Sequence, residues 1–326
     1  MNILEVNDLR IYYKTMKGIV KAVDGIDFFV EKGKSVGLAG ESGCGKTTFG
    51  LSLLKLLPTN GMIESGKVYF EGRDIYPLDE KEFRVNVRWK EISMIFQGAM
   101  NAMNPVFKVE DQIAEAIKLH DRTVKRRDAL EQSRNLLKIV DIDPMMGSHY
   151  PHEFSGGMRQ RAMIAMALAC NPQLIIADEP TTALDVIVQK QLMDLLRRLK
   201  QDLDLSLMVI SHDISVLAEL CDYLYIMYAG RIAEWGEIEE IFESPIHHYT
   251  HGLISTFPTV QDEERLKKFI FIPGAPPNLL DPPLGCRFHP RCPAATEICK
   301  REPPPEITKI SDKHYVACHH PRGLKG

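Results

Sequence analysis

The stretch Gly40-Glu41-Ser42-Gly43-Cys44-Gly45-Lys46-Thr47 constrains the fold more than any other part of this 326-residue chain. It matches G-x-x-x-x-G-K-[ST] in full and follows Val36-Gly37-Leu38-Ala39, an apolar run suited to a buried strand. Thr47 to Leu57 reads as the helix that follows. Strand, glycine-rich turn and helix in that order aim backbone amides and a helix dipole at a phosphate. Gly40, Gly43 and Gly45 let the backbone wrap closely around the anion. Lys46 supplies a mobile positive charge for β- and γ-phosphates, and the Thr47 hydroxyl suits magnesium. Ser42 and Thr48 belong to the same loop and helix start. Cys44 fills an unconstrained position, where a small residue fits. A glycine-rich turn without function is the alternative, and the strand–loop–helix context argues against it.

A second feature lies downstream. Leu174-Ile175-Ile176-Ala177 reads as a buried strand ending in Asp178-Glu179-Pro180. Asp178 at a strand end can reach magnesium through water, and Glu179 beside it can orient or deprotonate an attacking water. Paired acids at a strand end often cap a helix instead; beside a phosphate loop the catalytic reading is preferred. Strand–helix units continue with Val186 to Leu199, Ser206 to Ser211 and Ile214 to Leu220, which predicts an α/β fold with a largely parallel sheet. Before the loop, Leu4 to Val6, Leu9 to Tyr13, Ile19 to Val23 and Ile26 to Val30 read as short strands. Val68 to Phe70 and Ile92 to Phe96 are further strands. Helical spacing of Ile113, Ala116, Ile117, Leu130, Leu136, Leu137 and Val140 predicts a helical subdomain inserted over roughly residues 100–160.

Hydrophobic content of 44%, charged content of 26% and a net charge of −4 suit a globular protein with no general pull toward nucleic acid. The N-terminal residues lack a basic segment followed by an apolar run, and no apolar stretch approaches the ~20 residues of a membrane span. A cytosolic chain is expected. Near residue 258 the composition shifts to Pro273-Gly274-Ala275-Pro276-Pro277 and Asp281-Pro282-Pro283, which exclude regular helix. Four of the seven cysteines, Cys286, Cys292, Cys299 and Cys318, follow with spacing C-x5-C-x6-C-x18-C. Clustered cysteines in a cytosolic chain suggest metal more than disulfides, and four thiolates can hold zinc or an iron–sulfur cluster. The expected division is 1–257 for the nucleotide-binding domain and 258–326 for a proline-rich linker and cysteine-rich module.

Phe154-Ser155-Gly156-Gly157-Met158-Arg159-Gln160-Arg161, placed between the loop and the acidic strand, resembles the signature of the ATP-binding cassette (ABC) family. The resemblance implies a P-loop ABC ATPase core with an antiparallel N-terminal β subdomain, and a nucleotide sandwiched between two chains. Ser155, Gly156 and Gly157 would then meet the γ-phosphate held by the other monomer. Gln97 matches the glutamine that senses magnesium and the γ-phosphate, and His212 the switch histidine. Asp185 matches the loop that crosses to the opposite monomer, and Tyr13 the aromatic that stacks on adenine, with Tyr12 as competitor. Met158 departs from the usual glutamine.

Gln97-Gly98-Ala99-Met100-Asn101-Ala102-Met103-Asn104-Pro105, Pro245-Ile246-His247-His248-Tyr249-Thr250 and Gly285-Cys286-Arg287-Phe288-His289-Pro290-Arg291-Cys292-Pro293 are similar to the ATP-binding subunits of dipeptide and oligopeptide importers. That branch implies ATP, Mg2+ and a 4Fe–4S cluster on the four cysteines, with zinc as the alternative. It also implies work at the cytoplasmic face of the membrane. The partners would be a second ATPase subunit, two permease subunits and, through them, a solute-binding protein. Because the ATP site is complete without the cysteines, their loss is expected to spare nucleotide binding. The competing class is a soluble ABC ATPase of DNA repair or chromosome maintenance, but the interval from Lys46 to Ser155 lacks the long coiled coil or zinc insertion of those enzymes. A two-cassette translation factor is disfavoured by the single phosphate loop.

Overall fold

The computed structural model describes residues 1–98, 102–255 and 272–323. In chain order, strands β1 (Asn2–Thr15), β2 (Gly18–Glu31) and β3 (Ser35–Ala39) lead to helix α1 (Lys46–Leu53). Strands β4 (Gly61–Phe70) and β5 (Arg73–Asp74), helix α2 (Glu80–Asn86) and strand β6 (Ile92–Ile95) follow. A helical stretch then runs through α3 (Val109–His120), α4 (Arg126–Ile139) and α5 (Gly156–Ala167). Alternation resumes with β7 (Leu174–Asp178), α6 (Val186–Asp202), β8 (Ser206–Ile210), α7 (Ile214–Leu220), β9 (Tyr223–Tyr228) and β10 (Arg231–Glu237). Helices α8 (Ile238–Glu243), α9 (His248–Ser255) and α10 (Glu297–Arg301) precede the last strands, β11 (Thr308–Ser311) and β12 (His314–Val316).

The chain divides into two compact units. One comprises Met1–Ile3, Val30–Lys34 and Arg73–Ile210. In it β6, β7 and β8 run parallel, with Ile95 opposite Ala177 and Asp178 opposite Ile210. All three strands are buried along their whole length, as expected of parallel strands. Their carboxyl ends therefore fall together at one edge, where α/β sheets place ligands. The helical part packs through periodic apolar faces: Val109, Ile113, Ala116 and Ile117 are buried on α3, and Ala129, Ser133 and Leu137 on α4.

The other unit comprises Leu4–Phe29, Ser35–Gly72 and Ser211–Gly326. Here β1 pairs antiparallel with β4, from Leu4 opposite Phe70 to Tyr13 opposite Gly61. Strand β3 pairs parallel with β9, and β9 antiparallel with β10. The cysteine-rich segment adds strands of its own: β12 pairs antiparallel with β10, and β11 with β12. Trp235 of β10 lies stacked between Tyr225 of β9 and Tyr315 of β12, at centroid distances of 5.1 and 4.1 Å. Such stacks add to the area they bury.

Several expectations change in detail. The four short N-terminal strands merge into two strands of 14 residues each. The helix after the phosphate loop ends at Leu53 rather than Leu57, because Lys55 takes a left-handed backbone (φ 52°) and Pro58 follows. Strands β9 to β12 are additional to the expected elements. The boundary expected at 257/258 lies outside the described residues. Among the described residues no helix is long and apolar enough to cross a membrane.

Candidate nucleotide-binding site

The phosphate loop is seated by backbone. A Cβ on Gly40 (φ 151°) would stand 2.2 Å from the Met227 carbonyl oxygen, and one on Gly45 (φ 110°) 2.1 Å from that of Ala22. Only glycine fits either place. Lys46 is buried, and its Nζ donates to the carbonyls of Gly40 (2.6 Å) and Glu41 (3.2 Å), which keeps the ammonium inside the loop. Ser42 and Gly43 face outward. Cys44 is buried, and burial pushes its thiol up, so it sits there neutral as a small packing residue. Tyr13 and Thr48 join hydroxyls at 3.1 Å. Tyr12, the competing aromatic, is committed elsewhere: its phenol donates to Asp24 at 2.7 Å. Burial would raise the Asp24 carboxyl, but the Tyr12 phenol, Arg287 and Arg231 outweigh it and hold the group below the usual carboxylate range. His212 is exposed, in a turn where Ser211 Oγ accepts the Asp213 N–H at 3.0 Å and Asp213 caps α7.

In the other unit the acids stand at the carboxyl end of β7. Asp178 is buried as the strand's last residue. Glu179 follows with a left-handed backbone (φ 50°), an uncommon conformation for a side chain of this size. Its N–H donates to the Ile210 carbonyl at 2.8 Å, and Thr182 Oγ1 donates to its carboxylate at 3.2 Å. Gln97 is exposed, two residues beyond the end of the neighbouring β6. Ser155 caps α5, its Oγ accepting the Met158 N–H at 3.3 Å. Gly156 and Gly157 open that helix, and a Cβ on Gly157 would stand 2.6 Å from Val188 Cγ1. Asp185 caps α6 by accepting the Val188 N–H at 3.0 Å. The segment from Gly98 to Pro105 includes residues 99–101, which lie outside the described residues.

Cys286, Cys292, Cys299 and Cys318 are free thiols. The Cys286 N–H donates to the Cys299 carbonyl at 2.8 Å. Burial pushes the Cys318 thiol up to about 12, with Cys286, Cys292 and Cys299 each adding to the shift. Burial also raises Cys286 and Cys292. Among the described residues no group of three or more His, Cys, Asp or Glu is arranged to hold a metal ion. Neither the expected 4Fe–4S cluster nor the zinc alternative finds support in this arrangement of the described residues.

Comparison with known proteins agrees with this geometry. The ABC transporter profile matches residues 23–182, and that of the oligopeptide/dipeptide transporter C-terminal region matches residues 233–299. The oligopeptide transport ATP-binding protein OppD of Salmonella typhimurium is 45% identical over 321 residues, covering 98% of this chain and 94% of that protein. OppD of Bacillus subtilis is 46% identical over 320 residues, covering 96% and 87%. A dimeric ATP-binding cassette solved in a post-hydrolysis state with ADP and Pi superposes with a TM-score of 0.65 at 25% identity, over 72% of this chain and 98% of that one. Fold and motifs together define an ATP-hydrolysing ABC cassette. The chain belongs to the ABC transporter family, among the ATP-binding proteins of oligopeptide and dipeptide transport. The DNA-maintenance alternative receives no support from these relatives.

Proposed function

We propose that this chain is the ATP-hydrolysing motor subunit of a peptide importer, working at the cytoplasmic face of the membrane. The observation that carries this reading is the similarity to peptide-transport ATP-binding proteins over almost the whole chain, phosphate loop and cysteine-rich segment included. Tyr13 stacks on adenine. Gly40, Ser42, Gly43, Cys44, Gly45, Lys46 and Thr48 enclose the phosphates. Thr47 and Gln97 serve magnesium, with Asp178 acting through water. Glu179 activates the attacking water, and His212 contacts the γ-phosphate. Ser155, Gly156, Gly157 and Asp185 serve the nucleotide held by a second cassette subunit. ATP closes that pair, two permease subunits change their facing, and hydrolysis reopens it. A solute-binding protein delivers peptide to the permease. The division into residues 1–257 and 258–326 belongs to the same proposal. Purification from native membranes with mass spectrometry tests the assembly: two permease chains and a cassette partner are expected, and recovery with nucleases alone overturns the reading.

The segment Gly98 to Pro105 and the helices after it receive the permease. Val106 and Phe107, which follow it directly, are 70% and 55% exposed, more than their apolar character explains in isolation. Cysteine pairs placed here and in the permease cytoplasmic loops should crosslink; crosslinks confined to other surfaces reject the contact.

Cys286, Cys292, Cys299 and Cys318 hold a 4Fe–4S cluster. The support is the match of this segment to the C-terminal region of oligopeptide/dipeptide transporters over residues 233–299, together with four free cysteines. The cluster would supply a covalent tie across the segment rather than a step in hydrolysis. Protein purified without oxygen should contain about four irons per chain; stoichiometric zinc without iron rejects the assignment.

A further inference from the structure

The cysteine-rich segment reaches the phosphate loop itself. Arg291, beside Cys292 and only 8% exposed, forms a two-pronged pair with Glu41, the loop's second residue: Nη1 to Oε2 at 2.7 Å and Nη2 to Oε1 at 2.9 Å. The guanidinium is itself held, with Nε donating to the Pro273 carbonyl at 2.7 Å and Nη1 to the Tyr228 hydroxyl at 3.3 Å. Forked arginine–carboxylate pairs fix orientation as well as distance, and this one is largely removed from water.

Glu41 is gripped at its backbone too. Its N–H donates to the hydroxyl of the fully buried Tyr249 at 2.9 Å. Its carbonyl accepts the Cys44 N–H at 3.2 Å and Lys46 Nζ at 3.2 Å. One residue therefore joins the distant arginine to the lysine that meets phosphate. Neither Arg291 nor Glu41 is among the residues assigned to the nucleotide, so the pair acts on the shape of the loop.

We propose that Arg291 is a positioning residue for nucleotide binding: through the Glu41 carboxylate it holds the entry of the phosphate loop in its binding shape, and the cysteine-rich segment thereby sets the loop's affinity for nucleotide. This rests on the reading that the loop binds ATP. It revises the expectation that nucleotide binding is independent of the cysteine-rich segment. A loop freed at Glu41 spends part of its time in other shapes, and apparent affinity falls by the fraction of time lost.

The experiment measures Mg-ATP dissociation constants of the full chain by calorimetry, with melting curves alongside and steady-state kinetics in the assembled transporter. Arg291→Ala should weaken ATP binding about tenfold, in line with loss of a charged hydrogen-bonded pair. Arg291→Lys, which keeps the charge but loses the fork, should fall between it and the wild type. KM should rise with kcat held, because the interaction is the same in ground and transition states. Arg291→Ala added to Glu41→Gln should cost little beyond Glu41→Gln alone, since both remove one link. Wild-type affinity in both Arg291→Ala and Glu41→Gln, with Lys46→Ala still losing ATP, overturns the positioning role alone. Full additivity of the pair, or a kcat loss at unchanged KM, overturns it as well. Where Arg291→Ala does not fold, Arg291→Lys and Glu41→Gln decide in the same way. Wild-type protein that binds no ATP would overturn the reading of the loop itself.

Discussion

The phosphate-loop region and the strand-end acids, each assigned a part in the proposed hydrolysis, are built in opposite ways. In the first, the loop is held from outside: Gly40 and Gly45 press on the carbonyls of Met227 and Ala22, and Glu41 is gripped by Tyr249 and Arg291. In the second, the groups proposed to act stand at ends and edges. Glu179 sits on a left-handed backbone, while Gln97 and Ser155 are exposed. A binding surface gains from being fixed before the ligand arrives, since ordering then costs less. Groups that act on a partner's nucleotide or an attacking water must stay reachable. The difference predicts that changes in the first region act on affinity and stability, and changes in the second on turnover.

The largest effect expected is at Glu179. We predict that Glu179→Gln keeps Mg-ATP binding within about twofold and lowers turnover by roughly 10²–10⁴, the usual worth of a general base. The motive is its place directly after Asp178, with Thr182 Oγ1 on its carboxylate. Phosphate release by the assembled transporter at near wild-type rate would remove Glu179 from the role and erase the contrast between the two regions.

The second prediction concerns acid stability of the anchored region. His247 is buried and its Nδ1 accepts the Tyr249 N–H at 3.0 Å, so the ring is neutral. Burial pulls its pKa down to about 4, against the ordinary 6.5. The unfolded chain binds a proton below pH 6.5 that the fold refuses. Its contribution is therefore complete above pH 6.5 and is lost as pH falls from 6.5 to about 4, by up to about 3 kcal/mol. His247→Gln should flatten that part of the stability curve. An unchanged acid slope in urea titrations at pH 7, 6 and 5 would contradict it.

What the sequence made legible followed from local rules. The phosphate loop, the β7 acids and the α3 and α4 faces are each encoded within a dozen residues by glycine placement or apolar period. Strands β9 and β10 escaped because Tyr223–Tyr228 and Arg231–Glu237 carry no motif, and β12 because three residues are too few for a period. The Arg291–Glu41 link escaped for a different reason: its partners are 250 positions apart, and nothing local marks an arginine as meant for one distant carboxylate. Tyr12 and Tyr13 were separable only once strand alternation set one toward Asp24 and the other toward Thr48.

A smaller effect should connect the cysteines to the loop. Cys292 adjoins Arg291, so Cys292→Ser should lose iron and also weaken Mg-ATP binding roughly threefold, less than Arg291→Ala because the guanidinium itself is kept. Iron analysis and calorimetry on one preparation read both. Loss of iron with unchanged affinity would show that the anchor stands without the cluster, and would confine the contrast between the regions to the protein's own side chains.

The smallest effect is expected at Tyr13. Its ring lies at the opposite end of the loop from the Arg291 grip, tied to Thr48 by one hydroxyl contact of 3.1 Å and packed so near Gly61 that a Cβ there would come within 2.9 Å of its ring. A stacking ring contributes area to the base and nothing to the phosphates. Tyr13→Phe should therefore bind ATP as the wild type does, and Tyr13→Ala should weaken it roughly twofold, in line with about 0.5 kcal/mol at the low end for a stacked pair. Inorganic triphosphate, which has no base, should not distinguish Tyr13→Ala from wild type, whereas Arg291→Ala should weaken it as much as ATP. Equal losses for ATP and triphosphate in Tyr13→Ala would mean that Tyr13 supports the loop through Thr48, and would move it from the base-binding group into the anchored one.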